Sequence, residues 1–180
     1  MTNLKIITVP NPILSQKAKK VGHIDNSIKK IIDNMIDTLR AGSERVGLAA
    51  PQIGIPLKIT VIEIKGGKLK DGKERQKIPL TILINPEITE VSKETKEEEE
   101  GCLSVPGVWG LVERPKSVTV RTLNERGKLT KIKASDLFAR ALQHEIDHLN
   151  GILFTSKADL ETLHKITDEG AKIKITPTSL

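Results

Sequence analysis

The chain has 180 residues and a formal net charge of +6, with 37% hydrophobic and 29% charged residues. This composition is typical of a globular protein of one domain, and no apolar run reaches the roughly 20 residues that a membrane-spanning helix needs. A single cysteine excludes a disulfide-stapled module, and the N-terminus shows no signal peptide, so the cytoplasm is the expected location.

Three kinds of pattern predict the elements of the chain. Apolar residues at helical spacing, preceded by a capping residue such as Asp25, indicate helices. β-branched runs indicate buried strands, and alternating segments around a glycine-containing turn indicate a hairpin. The predicted elements, in chain order, are a helix over about 26–40, strands over 58–64 and 80–84, a hairpin over 117–123 and 128–133, a helix over about 136–149, a weaker helix over 158–170 and a short strand over 172–175.

The segment His144-Glu145-Ile146-Asp147-His148 carries the clearest chemistry. Two histidines four residues apart lie on one face of a helix, where both imidazoles can bind one cation. Glu145 lies between them in angle, so it can reach a water on that cation without being a ligand. The alternative is a surface helix whose histidines make ordinary hydrogen bonds.

A catalytic metal usually has three protein ligands, so a third must come from elsewhere in the chain. One zincin pattern would place a histidine at position 154, but that residue is Phe154. Cys102 is the better candidate, because Gly101 beside it suggests a shaped loop or a strand edge. A small buried cysteine is the alternative. Glu100 and Arg114 either pair to brace this cysteine loop or stand apart as exposed charges.

The distribution of elements predicts an α+β fold. Strands cluster around two helices without regular alternation of strand and helix. We expect mixed or antiparallel strands packed around a central metal-binding helix. Residues 1–180 are expected to form one catalytic domain, although no motif covers the tail after about residue 155.

Three segments, taken together and in this order, resemble the peptide deformylase family. They are Gly47-Leu48-Ala49-Ala50-Pro51-Gln52, Glu100-Gly101-Cys102-Leu103-Ser104 and Gln143-His144-Glu145-Ile146-Asp147-His148. The resemblance extends from Val9 to about Phe154. It implies a metal-dependent hydrolase that removes the N-terminal formyl group from N-formylmethionyl nascent polypeptides, releasing formate and a free-amine peptide.

The resemblance also implies a role for each matching residue. Amide hydrolysis needs a nucleophile, a proton carrier and donors for the oxyanion. A buried glutamine that bonds loop backbone is the alternative for Gln52. The implied roles are metal ligands for Cys102, His144 and His148; general base and acid for Glu145; oxyanion donors for the Gln52 side-chain amide and the Leu103 backbone N–H; and backbone partners of an extended substrate for Gly47 and Gly101.

The methionine side chain of such a substrate needs an apolar pocket. Val46, Leu137, Ala141 and the aliphatic stem of Arg140 are expected to contribute to it, and helix packing explains Leu137 and Ala141 equally well. Trp109 stands where members of the family often carry a basic residue. It either lines the substrate cleft or covers the core.

The cofactor and the partners follow from the ligand set and the substrate. A Cys/His₂ set suits Zn, Fe(II), Co or Ni without selecting among them, and the resemblance favours Fe(II). The net positive charge and the origin of the substrate motivate, as a hypothesis, a transient ribosome contact through the lysine-bearing tail. The chain has only three aromatic residues, which argues against a protein that binds RNA by stacking bases on aromatic side chains. Neither sequence-specific nucleic acid nor a membrane is an expected partner.

Two other functions stay open on the sequence. A general metallo-endopeptidase would use the same helix but would accept blocked internal amides. A catalytically silent metal-binding or ribosome-docking module would keep the fold. The joint presence of Cys102, Glu145 and Gln52 argues against the silent module, because losing any one of them would disable hydrolysis.

Overall fold

The computed structural model describes residues 2–42, 45–68, 72, 74–167 and 170–175. Helix α1 covers Asn26–Arg40 and helix α2 covers Asp136–Leu149, which confirms both strongly predicted helices. The Asp25 side chain caps α1 by accepting a hydrogen bond from the Ile28 N–H at 3.0 Å. In the part of the chain that is described, no helix is long and apolar enough to cross a membrane.

Eleven strands in the described residues form three sheets, and all neighbouring strands pair antiparallel. The strands are β1 Gly47–Ala49, β2 Ile59–Ile64, β3 Gly67–Lys68, β4 Glu74–Arg75, β5 Ile78–Val91, β6 Thr95–Cys102, β7 Val105–Pro115, β8 Ser117–Leu123, β9 Leu129–Ser135, β10 His164–Ile166 and β11 Lys172–Lys174. One sheet has the order β1-β2-β5-β8-β9, a second has the order β11-β10-β7-β6, and β3 pairs with β4. The α+β prediction is therefore confirmed.

The two helices cover opposite faces of the five-stranded sheet. Ile59 and Val61 of β2 belong to the apolar cluster that includes α1. Ile62 and Ile64 belong to the cluster that includes α2. Because successive strand residues point to opposite faces, β2 is buried on both sides, which explains its continuous apolar run. Helix α2 thus lies in the interior, where a metal site can be held rigidly.

The hairpin of β6 and β7 is an element that the sequence analysis did not predict. Its strand β6 is rich in glutamate, and the buried Glu100 faces the interior rather than solvent. Apolar residues of β7, among them Val108 and Val112, pack on Phe154 beneath the four-stranded sheet. The usual alternation of apolar and polar residues is therefore missing from β6.

The tail after residue 155 differs from its weakly helical prediction. Of the segment 158–170, Leu160–Thr162 forms one 3₁₀ turn and His164–Ile166 forms strand β10. β10 pairs with β7, and Leu163 is buried beneath the same sheet. Sheet pairing and burial here override the local helical preference. The short strand predicted near the end is confirmed as β11, over Lys172–Lys174.

The N-terminal segment joins two loops that are distant in sequence. The Ile7 N–H donates to the Gln52 carbonyl at 2.8 Å, and the Val9 N–H donates to the Ser104 carbonyl at 2.9 Å. Gln52 belongs to the 3₁₀ turn Ala50–Ile53 that follows β1. Ser104 lies in the turn between β6 and β7. This segment therefore fastens the five-stranded sheet to the four-stranded sheet through backbone hydrogen bonds.

Candidate metal centre

Helix α2 directs two histidines toward the thiol at the end of β6. His144 and His148 are four residues apart, about one helical turn, and Cys102 is the last residue of β6. Cys102 Sγ lies 3.2 Å from His148 Nε2. Ligand atoms from the three residues all lie within 4.8 Å of one another. The structure thus brings together the three residues that the sequence analysis nominated as metal ligands.

The donor atoms of this cluster fit a divalent metal ion. Two ligands that bind one cation at about 2.0–2.3 Å stand roughly 3–4 Å apart in a tetrahedral site, and the sulfur–nitrogen separation of 3.2 Å agrees with this. A thiolate with two imidazoles is a donor set for borderline-soft metals. Within the described residues, it is the one group of three or more His, Cys, Asp or Glu side chains that converges in this way.

Glu100 orients the first histidine. Its Oε2 lies 2.9 Å from His144 Nδ1, which leaves His144 Nε2 for the cation. Arg114 donates to both Glu100 oxygens, at 2.6 and 2.9 Å, so the pairing of Glu100 with Arg114 is confirmed. Burial raises the pKa of Glu100, but hydrogen bonds with His144 and Arg114 outweigh burial and hold that pKa well below its ordinary value. Glu100 is therefore an anion at neutral pH.

The two histidines titrate differently when no cation is bound. Burial lowers the pKa of His144, but its hydrogen bonds with Cys102 and Glu100 outweigh burial and raise it to about 10. Burial and the nearby His144 charge place the pKa of His148 well below its ordinary value. A cation must therefore displace a proton from His144, while His148 is already neutral and ready to bind.

Glu145 lies beside the cluster in a tight, nearly dry position. It is 4% exposed, and a Cβ added to Gly47 would overlap its carboxylate. The Thr60 hydroxyl is 3.5 Å from Glu145 Oε2 and donates at 3.0 Å to the Leu48 carbonyl. Burial raises the pKa of Glu145 to about 7. A carboxyl group with such a pKa can both accept and return a proton near neutral pH.

Gln52 is held so that its amide nitrogen faces the thiol. Its Oε1 accepts a hydrogen bond from the Ala49 N–H at 2.8 Å. Its Nε2 lies 3.5 Å from Cys102 Sγ and 3.4 Å from the Ser104 hydroxyl. Leu103 follows Cys102 directly in the turn after β6. The two candidate oxyanion donors therefore both lie next to the thiol.

Among the described residues, two strand edges that lack a β-partner border the cluster. β1 is the edge of the five-stranded sheet and β6 is the edge of the four-stranded sheet. Gly47 on β1 packs against Glu145, and Gly101 on β6 precedes Cys102. Free edges of this kind offer unpaired backbone groups to an extended peptide.

The remaining predicted site residues occupy three different environments. Val46, Leu137 and Ala141 belong to the apolar cluster around α2. The Arg140 guanidinium donates to Glu98, Glu100 and the carbonyls of Val112 and Lys96. The Trp109 side chain is partly exposed and pairs across strands with Gly101.

Three side chains near the cluster were not nominated from the sequence. Thr60 contacts Glu145, and Ser104 contacts Gln52. Asp147 accepts a hydrogen bond from Arg114 at 2.8 Å, which joins α2 to β7. Asp147 directly precedes the second histidine of the metal motif, and this position could have suggested it. Ser104 lies in the cysteine motif, but its position alone does not reveal its contact with Gln52. Thr60 carries no sequence signal, since hydroxyl residues are ordinary in strands.

Known proteins match the chain over most of its length. A model of the polypeptide deformylase family matches residues 3–163. A peptide deformylase of Carboxydothermus hydrogenoformans is 48% identical over 159 residues, which are 88% of this chain and 95% of that protein. A peptide deformylase of Bartonella henselae is 46% identical over 149 residues, which are 83% of this chain and 80% of that protein.

Solved structures agree with the sequence matches. The crystal structure of a peptide deformylase from Ehrlichia chaffeensis has a TM-score of 0.80 at 39% identity, over 88% of this chain and 89% of that chain. The Met-Ala-Ser-bound class I type b peptide deformylase of Acinetobacter baumannii has a TM-score of 0.78 at 33% identity, over 87% and 98%. Because the family model matches residues 3–163 and both relatives are at least 46% identical over most of the chain, the chain belongs to the polypeptide deformylase family.

Proposed function

We propose that this chain hydrolyses the formyl group from N-formylmethionyl peptides, releasing formate and a peptide with a free amine. The observation that carries the proposal is the convergence of Cys102, His144 and His148 beside the buried carboxyl group of Glu145. Membership of a family of deformylases supports the same reaction. The enzyme is a hydrolase that needs one divalent metal ion, with Cys102, His144 and His148 as its ligands.

Glu145 moves the proton in this reaction. Cys102, His144 and His148 would hold a divalent cation, which would lower the pKa of water toward ~7 and so would supply a nucleophile for the formyl carbon. Glu145, whose pKa burial raises to about 7, accepts the proton of the attacking water and returns it to the departing amine. Its snug packing against Gly47 keeps the carboxylate at one position during both transfers.

Gln52 and Leu103 stabilise the oxyanion. The negative charge that develops on the formyl oxygen needs donors fixed beforehand at that place. The Gln52 amide is fixed by the Ala49 N–H, and its Nε2 faces Cys102. The Leu103 N–H follows Cys102 in the chain and supplies the second donor. A neutral amide suits this task because it neither ionises nor competes for the cation.

The substrate lies as an extended strand between the two free sheet edges. Gly47 and Gly101 bond its backbone, and these backbone contacts do not depend on the side chains of the substrate. The methionine side chain enters the apolar region that contains Val46, Leu137 and Ala141. The Arg140 guanidinium is bound by Glu98 and Glu100, so only the aliphatic stem of Arg140 can contribute to that region. A related deformylase with bound Met-Ala-Ser supports this class of ligand.

The native setting of the enzyme is inferred from its ligands and its substrate. We infer Fe(II) as the physiological metal, with Zn, Ni or Co as substitutes, since the Cys/His₂ set accepts them all. The substrate class favours a cytoplasmic enzyme that contacts the ribosome transiently. Strands β10 and β11 extend the sheet of β7, which supports one catalytic domain over residues 1–180.

The function is tested by measuring formate released from formyl-Met-Ala-Ser by the metal-loaded protein. We expect rapid release from this peptide and none from acetyl-Met-Ala-Ser. Glu145→Gln removes the proton carrier but leaves the metal ligands, so we expect kcat to fall by about 100-fold or more with an unchanged metal content.

The same experiment separates a deformylase from a general endopeptidase. An endopeptidase would cleave blocked internal amides and would give new free amines without formate. Formate release that is equally fast in Glu145→Gln would contradict the role given to Glu145. No formate release from the wild-type protein, at one metal per chain, would contradict the function itself.

A further inference from the structure

Trp109 covers the bare face of Gly101 at the edge that the substrate uses. Gly101 and Trp109 are direct cross-strand partners in β6 and β7. A Cβ built on Gly101 would lie 3.0 Å from indole atoms Cδ2, Cε2 and Cε3. The indole therefore occupies the space that a side chain at position 101 would fill. Trp109 is nevertheless 38% exposed, so part of its side chain can be reached by a ligand.

The indole lies on the solvent face of the four-stranded sheet. Its neighbours in β7, Val108 and Gly110, point to the opposite face, where Val108 is buried. Cys102 likewise belongs to the interior cluster next to Phe154. Side chains that share a face with Trp109 therefore point away from the metal centre.

The register of the substrate follows from the oxyanion donors, and this step rests on the proposed function. Both β1 and β6 run toward the metal centre, so a peptide that starts there and leads away is antiparallel to β6. If the formyl oxygen accepts from the Leu103 N–H, the formyl group stands opposite Leu103 and the methionine opposite Cys102. The residue after methionine then stands opposite Gly101.

This register divides the substrate side chains between the two faces of the sheet. Cross-strand partners project to the same face, and a shift of one residue reverses the face. The methionine side chain, opposite Cys102, points to the interior. The next side chain, opposite Gly101, points to the face that carries Trp109. Because Gly101 has no side chain of its own, that substrate side chain lies next to the indole that covers Gly101.

We propose that Trp109 determines specificity for the second residue of the substrate and favours flat side chains, either aromatic rings or the guanidinium of arginine. Rings stack on an indole face, and a guanidinium gains from its quadrupole as well as from stacking. Alanine reaches too little of the ring to gain from either interaction. The enzyme is thus selective for the side chain after methionine, in addition to making backbone contacts that do not depend on sequence.

The test compares formyl-Met-Phe-Ser and formyl-Met-Arg-Ser with formyl-Met-Ala-Ser by kcat/KM from formate release. We expect the wild-type protein to prefer Phe and Arg over Ala by about fivefold, the scale of a single stacking or cation–π contact. Trp109→Ala should bring both ratios near one. Trp109→Leu keeps apolar cover over Gly101 but lacks a π face, so the preference for Arg should be lost in this variant too.

Ile166→Ala is the matched control. Ile166 is an exposed apolar residue of the same sheet on β10, away from the β6 edge, and both ratios should stay at their wild-type values. Ratios that are unchanged in Trp109→Ala and Trp109→Leu, with normal formate release, would overturn this inference and leave the deformylase function intact. Absence of formate from every peptide would instead overturn the proposed function, and this inference with it.

Discussion

The role of Gln52 depends on which of its two side-chain atoms faces the reacting centre. Its oxygen is engaged by the Ala49 N–H at 2.8 Å, so its nitrogen is directed to Cys102. The hydrogen bond to Ala49 thus fixes the orientation of an amide that could otherwise flip. A variant whose side chain at position 52 keeps the hydrogen-bond acceptor but lacks the donor should fold normally and lose catalytic activity.

Gln52→Glu makes that change. We expect kcat for formyl-Met-Ala-Ser to fall by about 10²–10³, the usual effect of losing one oxyanion donor, because the carboxylate also repels the developing charge. Steady-state formate release measures it, together with the metal content of each preparation. Gln16→Glu, at an exposed loop position, introduces the same charge change and should keep wild-type rates. A Gln52→Glu variant with wild-type kcat would exclude Gln52 as an oxyanion donor.

Individual residues were predictable where the chemistry is encoded in local spacing. His144, Glu145 and His148 follow from helix geometry alone, and Cys102 is the only thiol. Thr60 was not predictable, because only the packing of β2 against α2 places its hydroxyl near Glu145. The sequence likewise left the pairing of Glu100 with Arg114 open, since a pattern of charges does not show which face of a strand is buried.

The β6–β7 hairpin places a charged network inside the protein. Arg114, 3% exposed, donates to Glu100 on β6 and to Asp147 on α2. Arg140 donates to Glu100 as well, at 2.6 Å. Strand β6 therefore carries glutamate where a strand of this depth usually carries apolar residues. Because of these glutamates, the sequence does not predict the hairpin, whereas it does predict β2 and β8.

Replacing Arg114 by methionine should strongly destabilise the protein. The change leaves Glu100 and Asp147 buried with fewer cationic partners, and breaking a buried pair of this kind costs about 3 kcal/mol. We would measure the free energy of unfolding in urea, with a chelator present so that lost metal binding does not contribute.

Arg121 lies in an exposed ion pair and provides the control for Arg114→Met. Arg121→Met removes the pairing with Glu87, in which both side chains are well exposed, and should be hard to distinguish from the wild type. Equal unfolding free energies for Arg114→Met and Arg121→Met would show that the buried network adds no stability.

At the scale of the whole molecule, the metal centre joins two sheets. Cys102 belongs to the four-stranded sheet, whereas His144 and His148 belong to the helix that packs on the five-stranded sheet. A cation bound by all three residues connects β6 with α2, two elements that are far apart in the sequence. Binding to the folded form alone stabilises it by mass action.

Removal of the metal should therefore lower the melting temperature. At a free metal concentration 100 times Kd, the folded state gains about 2.7 kcal/mol, and a chelator abolishes this gain. Thermal unfolding with and without chelator measures the difference. Cys102→Ala loses one ligand, so its melting temperature should respond much less to the chelator. An equal response in the two proteins would place the stabilising ion elsewhere.

The arrangement of the sheets was beyond prediction from one sequence. Both long helices and the hairpin of β8 and β9 follow from local patterns, and the structure confirms them. The neighbours β5 with β8 and β7 with β10 are far apart in the chain. Such pairings depend on which edges and apolar faces meet in three dimensions, and local periodicity does not record that.

The two backbone hydrogen bonds made by Ile7 and Val9 have a consequence for turnover. They hold the turn of Gln52 and the turn of Leu103 at a fixed spacing, and no backbone hydrogen bond in the described part of the chain joins these two turns directly. Ile7 and Val9 thus help to set the distance between the Gln52 amide and the Leu103 N–H, the two donors proposed for the formyl oxygen. Changes that weaken the hydrogen bonds of Ile7 and Val9 should alter the rate of deformylation, while substrate contacts and metal affinity stay as they are.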